Sequence, residues 1–226
     1  QSTLDELAEL AQRRGGRVSY RQRPDGGKSP YELNVTYIDA LRGSDDEAGD
    51  KHHVRRFAAS QAIAMSLPGV PATYIGSLLG NRNWNAGVEQ TGAPRSINRE
   101  KLDVTEVEAE LAQPESFRAR TFGALSGLLQ TRRRQPAFSP LAPGRVLDLG
   151  AGCFAIARQG GGQTLLALTN LRDERVLIEL PPALGGAKLM DVLEGRGAEA
   201  TATLGLEPYQ TSWLSLDGDS VPIDEL

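Results

Sequence analysis

Residues 70–76 read Val-Pro-Ala-Thr-Tyr-Ile-Gly, a short uncharged run that decides how the first part of the chain is interpreted. Runs of this kind are typical of strands buried on both faces of a sheet. A helix is predicted before it, because apolar residues recur at steps of three and four over Val54–Met65. Two helices are predicted after it, over Val104–Leu111 and Phe117–Arg134. A buried strand between helices indicates a parallel α/β sheet or barrel.

The first 142 residues are too short for a complete barrel. An eight-unit (β/α)₈ barrel takes roughly 250 residues, or about 31 per unit. Residues 1–142 therefore hold either the last few units of such a barrel or a small irregular α/β layer. They also contain a predicted β-hairpin around Pro24–Gly27 and a long polar loop from Gly80 to Glu100.

The pattern changes near residue 142, and short alternating runs separated by Gly, Pro, Asp and Asn follow. Their spacing predicts an all-β, antiparallel sandwich over residues 143–226. The predicted strands are Val146–Leu149, Phe154–Arg158, Thr164–Asn170, Val176–Leu180, Lys188–Leu193, Ala202–Leu206 and Thr211–Leu216.

Composition excludes several classes of function. The 226 residues include 25 Lys and Arg against 29 Asp and Glu, so the net charge of −4 argues against nucleic-acid and membrane partners. The only cysteine, Cys153, excludes an intrachain disulfide and a zinc site built from cysteines. No apolar run approaches the ~20 residues that span a bilayer. The chain begins at Gln1 without a basic-then-apolar leader, so we expect that it is not a secretory precursor.

Isolated polar residues give weak signals. The adjacent pair His52-His53 contains the only histidines, and both are expected to be solvated in the first turn of a helix. Cys153 is expected to be a structural thiol. Acidic residues on predicted turns, including Asp25 and Asp39, are expected to be solvated. An acidic stretch, 45–50, precedes the predicted Val54–Met65 helix.

One local motif suggests a different class of protein. Residues 145–154 read Arg-Val-Leu-Asp-Leu-Gly-Ala-Gly-Cys-Phe, and Asp148–Gly152 is similar to the strand-plus-glycine opening of an S-adenosylmethionine methyltransferase. That interpretation predicts a helix after Gly152. We favour a hairpin turn in which Gly150 and Gly152 supply positive φ angles, followed by a strand.

Two segments combine amide, guanidinium and aromatic side chains, which is the surface that sugar hydroxyls and sugar C–H faces prefer. They are Tyr31–Tyr37 and the loop of residues 79–100, which contains Trp84 and Arg95. Loops that follow barrel strands build the active site of a barrel. This chemistry favours sugar binding, with a non-catalytic carbohydrate-binding module as an alternative to an enzyme.

Three motifs carry a resemblance to a known family. They are Tyr-Glu-Leu-Asn-Val-Thr-Tyr-Ile-Asp-Ala-Leu (31–41), Ser-Leu-Pro-Gly-Val-Pro-Ala-Thr-Tyr-Ile (66–75) and Arg-Ser-Ile-Asn-Arg-Glu (95–100). Together with Leu206–Leu214 they resemble the C-terminal portion of the sucrose-phosphorylase group of glycoside hydrolase family 13, the α-amylase superfamily. The resemblance implies the C-terminal units of a (β/α)₈ TIM barrel over residues 1–142, followed by an antiparallel β-domain.

The resemblance also implies an activity for the parent enzyme. It is retaining α-glucosyl transfer to phosphate, with a glucoside and inorganic phosphate as substrates, a cytoplasmic location, and no metal or organic cofactor. The three carboxylates of the family belong to the missing N-terminal barrel portion, so no catalytic residue is assigned here. The chain alone is expected to be inactive, with unpaired strand edges.

The resemblance carries four binding residues over to this sequence. Arg95 matches an arginine that contacts bound glucose, and Tyr31 matches a tyrosine of the acceptor loop that can face phosphate. Glu32 stands where sucrose-specific members carry Gln, which favours glucosylglycerate or glucosylglycerol over sucrose. Asn34 matches as well, as a ligand contact or a brace of the loop. Trp84 replaces an expected acidic residue, and its role is left open.

Overall fold

The computed structural model describes residues 3–43, 52–199, 202–216 and 221–226, with only the backbone described at Ala198 and Glu199. The acidic stretch at residues 45–50 lies outside the described residues. The chain divides into two compact units. The first comprises Gln1–His53 and Thr73–Phe122, and the second comprises Val54–Ala72 and Gly123–Leu226.

The first unit is built from short helices around one β-hairpin. The hairpin pairs β1 (Arg17–Gln22) with β2 (Lys28–Asn34) in antiparallel register, as predicted, and its turn follows Pro24. Helix α1 and a 3₁₀ helix contact the hairpin, and the unit also contains helices α2, α4, α5 and α6. The bounds are α1 Thr3–Arg13, β1 Arg17–Gln22, β2 Lys28–Asn34, α2 Tyr37–Ala40, α4 Ile75–Leu78, α5 Asn85–Thr91, the 3₁₀ helix Pro94–Asn98, and α6 Val104–Leu111.

The second unit contains a six-stranded antiparallel sheet, ordered β3-β4-β5-β10-β7-β8, and a separate two-stranded sheet, β6-β9. Helices α3 (His53–Ser66) and α7 (Phe117–Arg133) contribute most of their length to it. The strands are β3 Gly144–Leu147, β4 Cys153–Gly160, β5 Gln163–Asn170, β6 Val176–Glu179, β7 Lys188–Asp191, β8 Arg196–Glu199, β9 Thr203–Leu206 and β10 Thr211–Leu216.

The six-stranded sheet is covered on both faces. On one face, Leu166 and Leu168 of β5 pack with Ile178 and Leu206 of the β6-β9 sheet. The alternate residues pack with α3 and α7 on the other face. These residues are Ile156, Leu165, Ala167 and Trp213, and their helical partners include Ala62, Met65 and Leu128. Because successive side chains of a strand point to opposite faces, burial on both faces explains the almost continuous apolar run of β5.

The predicted strand at residues 70–76 is wrong. Residues 70–74 are irregular, α4 begins at Ile75, and Val70 is 82% exposed. A buried strand needs neighbours to bond its N–H and C=O groups, and none of the described strands pairs with this segment. The predicted long loop from Gly80 to Glu100 is also corrected, because it contains α5 and the 3₁₀ helix.

The methyltransferase interpretation is excluded by the segment after Gly152, which forms strand β4 and not a helix. The Cys153 backbone N–H donates to the Gly150 carbonyl at 3.2 Å, and Gly150 has a φ of +102°. The predicted positive φ at Gly152 is wrong. The Cys153 thiol lies 3.4 Å from the Phe154 carbonyl oxygen, and burial raises its pKa, as befits an unreactive structural thiol.

A buried arginine joins helix α3 to the sheet of the second unit. Arg158 is fully buried on β4, and its guanidinium donates to four backbone carbonyls. Nη1 donates to Ser66 at 2.7 Å, Nη2 to Ser139 at 2.9 Å and to Ala142 at 3.0 Å, and Nε to Pro143 at 3.2 Å. Ser66 ends α3, so the guanidinium satisfies a carbonyl that the helix itself leaves unpaired.

No helix among the described residues has the length and apolar character that crossing a bilayer would require.

Candidate functional site

The candidate site is an ion pair between two segments of the first unit. Glu32 lies on β2, and Arg95 lies in the 3₁₀ helix that Pro94 begins. Arg95 Nη1 donates to Glu32 Oε1 at 2.8 Å, and the two side chains are 58% and 33% exposed. A pair this exposed contributes at most about 1 kcal/mol to stability. The pair instead places the planar N–H donors of Arg95 beside the carboxylate acceptor of Glu32. Sugar hydroxyl groups can accept hydrogen bonds from the first and donate to the second.

Tyr31 lies beside this pair in sequence without a hydrogen bond to it. In the hairpin register, Glu32 faces Ser19 and Pro30 faces Tyr20, so Tyr31 is the extra residue of a β-bulge. Bulges change the direction of a side chain, and the Tyr31 side chain is 68% exposed. Among the described residues its hydroxyl has no protein partner, which leaves it available to a ligand.

Asn34 is buried inside the hairpin. It is 1% exposed, and its Nδ2 donates to Ser19 Oγ at 2.9 Å and to the Glu32 carbonyl at 3.3 Å. These bonds tie β2 to β1 directly beneath Glu32. The Asn34 side chain therefore braces the strand, and its contact with a ligand stays a prediction.

A buried carboxylate joins the segment after β2 to the loop before Arg95. The expectation that Asp39 is solvated is wrong, since it is 2% exposed in α2. Its Oδ2 accepts from the Asn83 backbone N–H at 2.6 Å, and its Oδ1 accepts from Arg82 Nε. The Asn83 side chain in turn accepts from the Thr36 N–H at 2.8 Å and donates to the Arg14 carbonyl at 3.0 Å. This network fixes the loop that leads to Trp84.

Trp84 has a packing role. Its backbone N–H donates to the Ile97 carbonyl at 2.8 Å, which joins the start of α5 to the 3₁₀ helix that carries Arg95. Its ring covers Gly87, where a Cβ would lie only 2.0 Å from Cε3. The Trp-x-x-Gly spacing is visible in the sequence, but it does not explain the glycine. The structure does, because the first turn of α5 brings residue 87 against the Trp84 ring.

The expectation of a solvated side chain is wrong for His53. His53 is 3% exposed, its Nε2 lies 2.7 Å from the Ile38 carbonyl oxygen, and its ring packs on Phe117 at 5.2 Å. The carbonyl requires Nε2 to carry the proton. His53 is therefore a buried structural residue and not a solvated one.

Glu100 ends the 95–100 motif, and burial raises the pKa of its carboxyl, with Glu110 and Glu106 adding to the effect and Arg118 opposing it. A raised folded-state pKa means that charged Glu100 destabilises the fold at neutral pH. The penalty disappears as the pH falls through the folded pKa and then below the ordinary value of 4.5.

We therefore expect Glu100→Gln to increase the free energy of unfolding at pH 7.5 and to bring no such gain at pH 4. Urea denaturation at the two pH values measures the difference, with Glu108→Gln on the exposed face of α6 as the control. An equal gain at both pH values would show that ionisation of Glu100 is not its cause.

Comparison with known proteins gives consistent relatives. The chain is 36% identical over 215 residues to the glucosylglycerate phosphorylase of Escherichia coli, covering 95% of this chain and 37% of that protein. It is 40% identical over 170 residues to the glucosylglycerate phosphorylase of Spirochaeta thermophila, covering 74% of this chain and 28% of that protein. The chain thus spans about a third of the length of these curated relatives. No family model matches the chain.

Comparison with solved structures also finds a phosphorylase with a similar fold. The sucrose 6F-phosphate phosphorylase of Thermoanaerobacter thermosaccharolyticum matches 87% of this chain and 35% of that one, with a TM-score of 0.62 at 20% identity. The chain is thus related to glycoside hydrolase family 13, the α-amylase family. Within it, the predicted similarity to the sucrose-phosphorylase subgroup is confirmed.

Proposed function

We propose that this chain is the C-terminal portion of a retaining α-glucoside phosphorylase that acts on a glucosylglycerate-type substrate. The reaction transfers a glucosyl group to inorganic phosphate and yields α-glucose 1-phosphate. The relatives named glucosylglycerate phosphorylase support the reaction. The Glu32–Arg95 pair is the single structural observation that carries the assignment of a sugar-binding wall to this chain.

The proposed architecture follows the same parent. Residues 1–142 would supply the last units of a (β/α)₈ barrel, and residues 143–226 an antiparallel β-sandwich domain. The antiparallel six-stranded sheet covered by β6-β9 supports the sandwich.

In this proposal Arg95 contacts the glucosyl unit, and Tyr31 and Glu32 face the acceptor and phosphate. The reacting carboxylates belong to the N-terminal portion, so the protein supplies an Asp nucleophile and a Glu acid/base from outside this chain. Phosphate is a co-substrate, and no organic cofactor or metal takes part. The location is cytoplasmic.

A chimera tests the proposal directly. The 226 residues replace the matching part of the Escherichia coli glucosylglycerate phosphorylase, and release of glucose 1-phosphate from glucosylglycerate and phosphate is measured. We expect activity in the chimera and none in the 226-residue chain alone. A correctly folded chimera that is inactive on every α-glucoside would contradict the proposal. Binding of a neutral sugar by the chain alone, together with such an inactive chimera, would favour a carbohydrate-binding module.

In this proposal Glu32 determines the preference for glucosylglycerate over sucrose. We expect Glu32→Gln in the chimera to lower the ratio of kcat/KM for glucosylglycerate to kcat/KM for sucrose about tenfold, the effect of one charge-assisted hydrogen bond. The control is Glu89→Gln, an exposed position on α5. An unchanged ratio would remove Glu32 from acceptor recognition and leave the phosphorylase assignment standing.

A further inference from the structure

The second unit contains a cavity that the proposed reaction does not use. Its volume is about 360 Å³, within the range of about 300–1,000 Å³ that small-molecule sites occupy. Helices α3 and α7 form one side of it, and the residues between β7 and β8 and before β10 form the other. Every residue that lines it belongs to this one unit.

One side of the cavity has almost no side chains. Gly123 and Gly127 lie one turn apart in α7, and a Cβ added at either would have no heavy atom within 4 Å apart from its chain neighbours and the backbone of its own helix. Glycine inside a helix is less favourable than alanine, and here no described neighbour needs the close approach that glycine allows. Ala58 and Ala59 of α3 line the same space. The cavity is therefore open where the helix could carry larger side chains.

The rim of the cavity is polar and carries one unpaired cation. Arg55 is exposed and makes no hydrogen bond or ion pair among the described residues. The Glu194 carboxylate already has two partners, since it lies 3.4 Å from Arg196 Nε and accepts from Gln210 Nε2 at 3.4 Å. The Tyr209 ring is covered on one face by the Arg56 guanidinium at 4.7 Å. The rim thus offers hydrogen-bonding groups together with a positive charge that no described residue pairs.

We propose that this cavity binds a hexose monophosphate. The phosphate pairs with the free Arg55 guanidinium, and the apolar face of the sugar ring lies over Gly123 and Gly127. The sugar hydroxyls bond to the Glu194 carboxylate and the Gln210 amide. A neutral sugar would leave the Arg55 charge unpaired, and inorganic phosphate alone would leave the open glycine surface uncovered. The inference does not depend on the proposed reaction.

Calorimetric titration of the 226-residue chain with glucose 6-phosphate tests the inference. We expect saturable binding, with glucose and inorganic phosphate each binding at least tenfold more weakly. Gly127→Leu should weaken binding at least tenfold by filling the cavity, and Arg55→Gln should do so by removing the charge. The matched controls are Gln130→Leu and Arg120→Gln, exposed positions on α7 that do not line the cavity.

Three results would overturn the inference. They are the absence of saturable binding, equal binding of glucose or of phosphate alone, and binding that both cavity variants leave unchanged. Arg95→Gln identifies binding at the Glu32–Arg95 pair, because it removes binding there and leaves binding in this cavity intact. Circular dichroism checks whether Gly127→Leu folds. If it does not, Arg55→Gln decides the question, because Arg55 is exposed and its replacement leaves the fold intact.

Discussion

Arg158→Met is expected to lower the free energy of unfolding by about 3–5 kcal/mol, because it removes the donor that four buried carbonyls share. The guanidinium is fully buried and donates to four carbonyls, and no carboxylate among the described residues faces it. Methionine fills much of the same volume but donates nothing. The Ser139 and Pro143 carbonyls also accept from the Ala142 and Gln159 backbone N–H groups. The Ser66 and Ala142 carbonyls lose the Arg158 donor, and each carbonyl left unpaired and buried costs about 1–3 kcal/mol before the structure relaxes.

The environment of Arg158 disfavours the charged form of its guanidinium. Burial lowers the pKa of its guanidinium, and the nearby charge of Arg132 lowers it further. Arg132 itself donates to the Met65 carbonyl at 2.8 Å and to the Gly69 carbonyl at 3.2 Å, so two arginines satisfy the end of α3. Arg158→Lys keeps the charge but replaces the planar fork with a single ammonium group. We expect it to recover less than half of the loss.

Urea denaturation measures both variants, followed by tryptophan fluorescence in a Trp84→Phe background, so that the signal comes from the buried Trp213. Arg196→Met is the control on the same sheet, because the Arg196 side chain is 79% exposed and its one ion pair among the described residues is with Glu194, at 3.4 Å. That change is expected to cost less than about 1 kcal/mol. A loss for Arg158→Met no larger than that of Arg196→Met would show that solvent reaches the four carbonyls.

The sequence could predict what local periodicity controls. The sequence predicts both long helices and seven of the strands within a few residues, because apolar residues recur at helical spacing in α3 and α7 and form short apolar runs in the strands, almost continuous in β5. Strand β8, Arg196–Glu199, was missed because Arg-Gly-Ala-Glu has no apolar alternation, and it is a strand through its pairing with β7.

Contacts distant in sequence could not be predicted. The segment at residues 70–76 has the composition of a buried strand, but a strand also requires partners, which composition does not supply. Asp39 looks like any acidic residue on a turn until Arg82 and Asn83 are brought to it across more than 40 positions. The Glu32–Arg95 pair joins positions 63 apart. The motifs named both residues, and only the fold shows that they meet.

Arg95→Ala in the active chimera is expected to lower kcat/KM for glucosylglycerate about 10- to 100-fold. The proposed role of Arg95 is to donate hydrogen bonds to the glucosyl unit, and charge-assisted bonds of this kind are worth about 1.5–3 kcal/mol. Lysine cannot reproduce the planar fork, so Arg95→Lys should recover less than tenfold. Both Arg95 and Glu32 are partly exposed, so the folded state should survive either change.

A double-mutant cycle separates the two functions of the pair. If Glu32 only orients Arg95, then Glu32→Ala should lower kcat/KM in the wild-type background and have little effect once Arg95 is alanine. If Glu32 also bonds the acceptor, part of its effect should persist in the Arg95→Ala background. The product is measured as glucose 1-phosphate, and urea denaturation confirms equal stability. A change below threefold for Arg95→Ala would contradict a contact between Arg95 and the glucosyl unit, because losing even one such bond to a charged donor exceeds that effect.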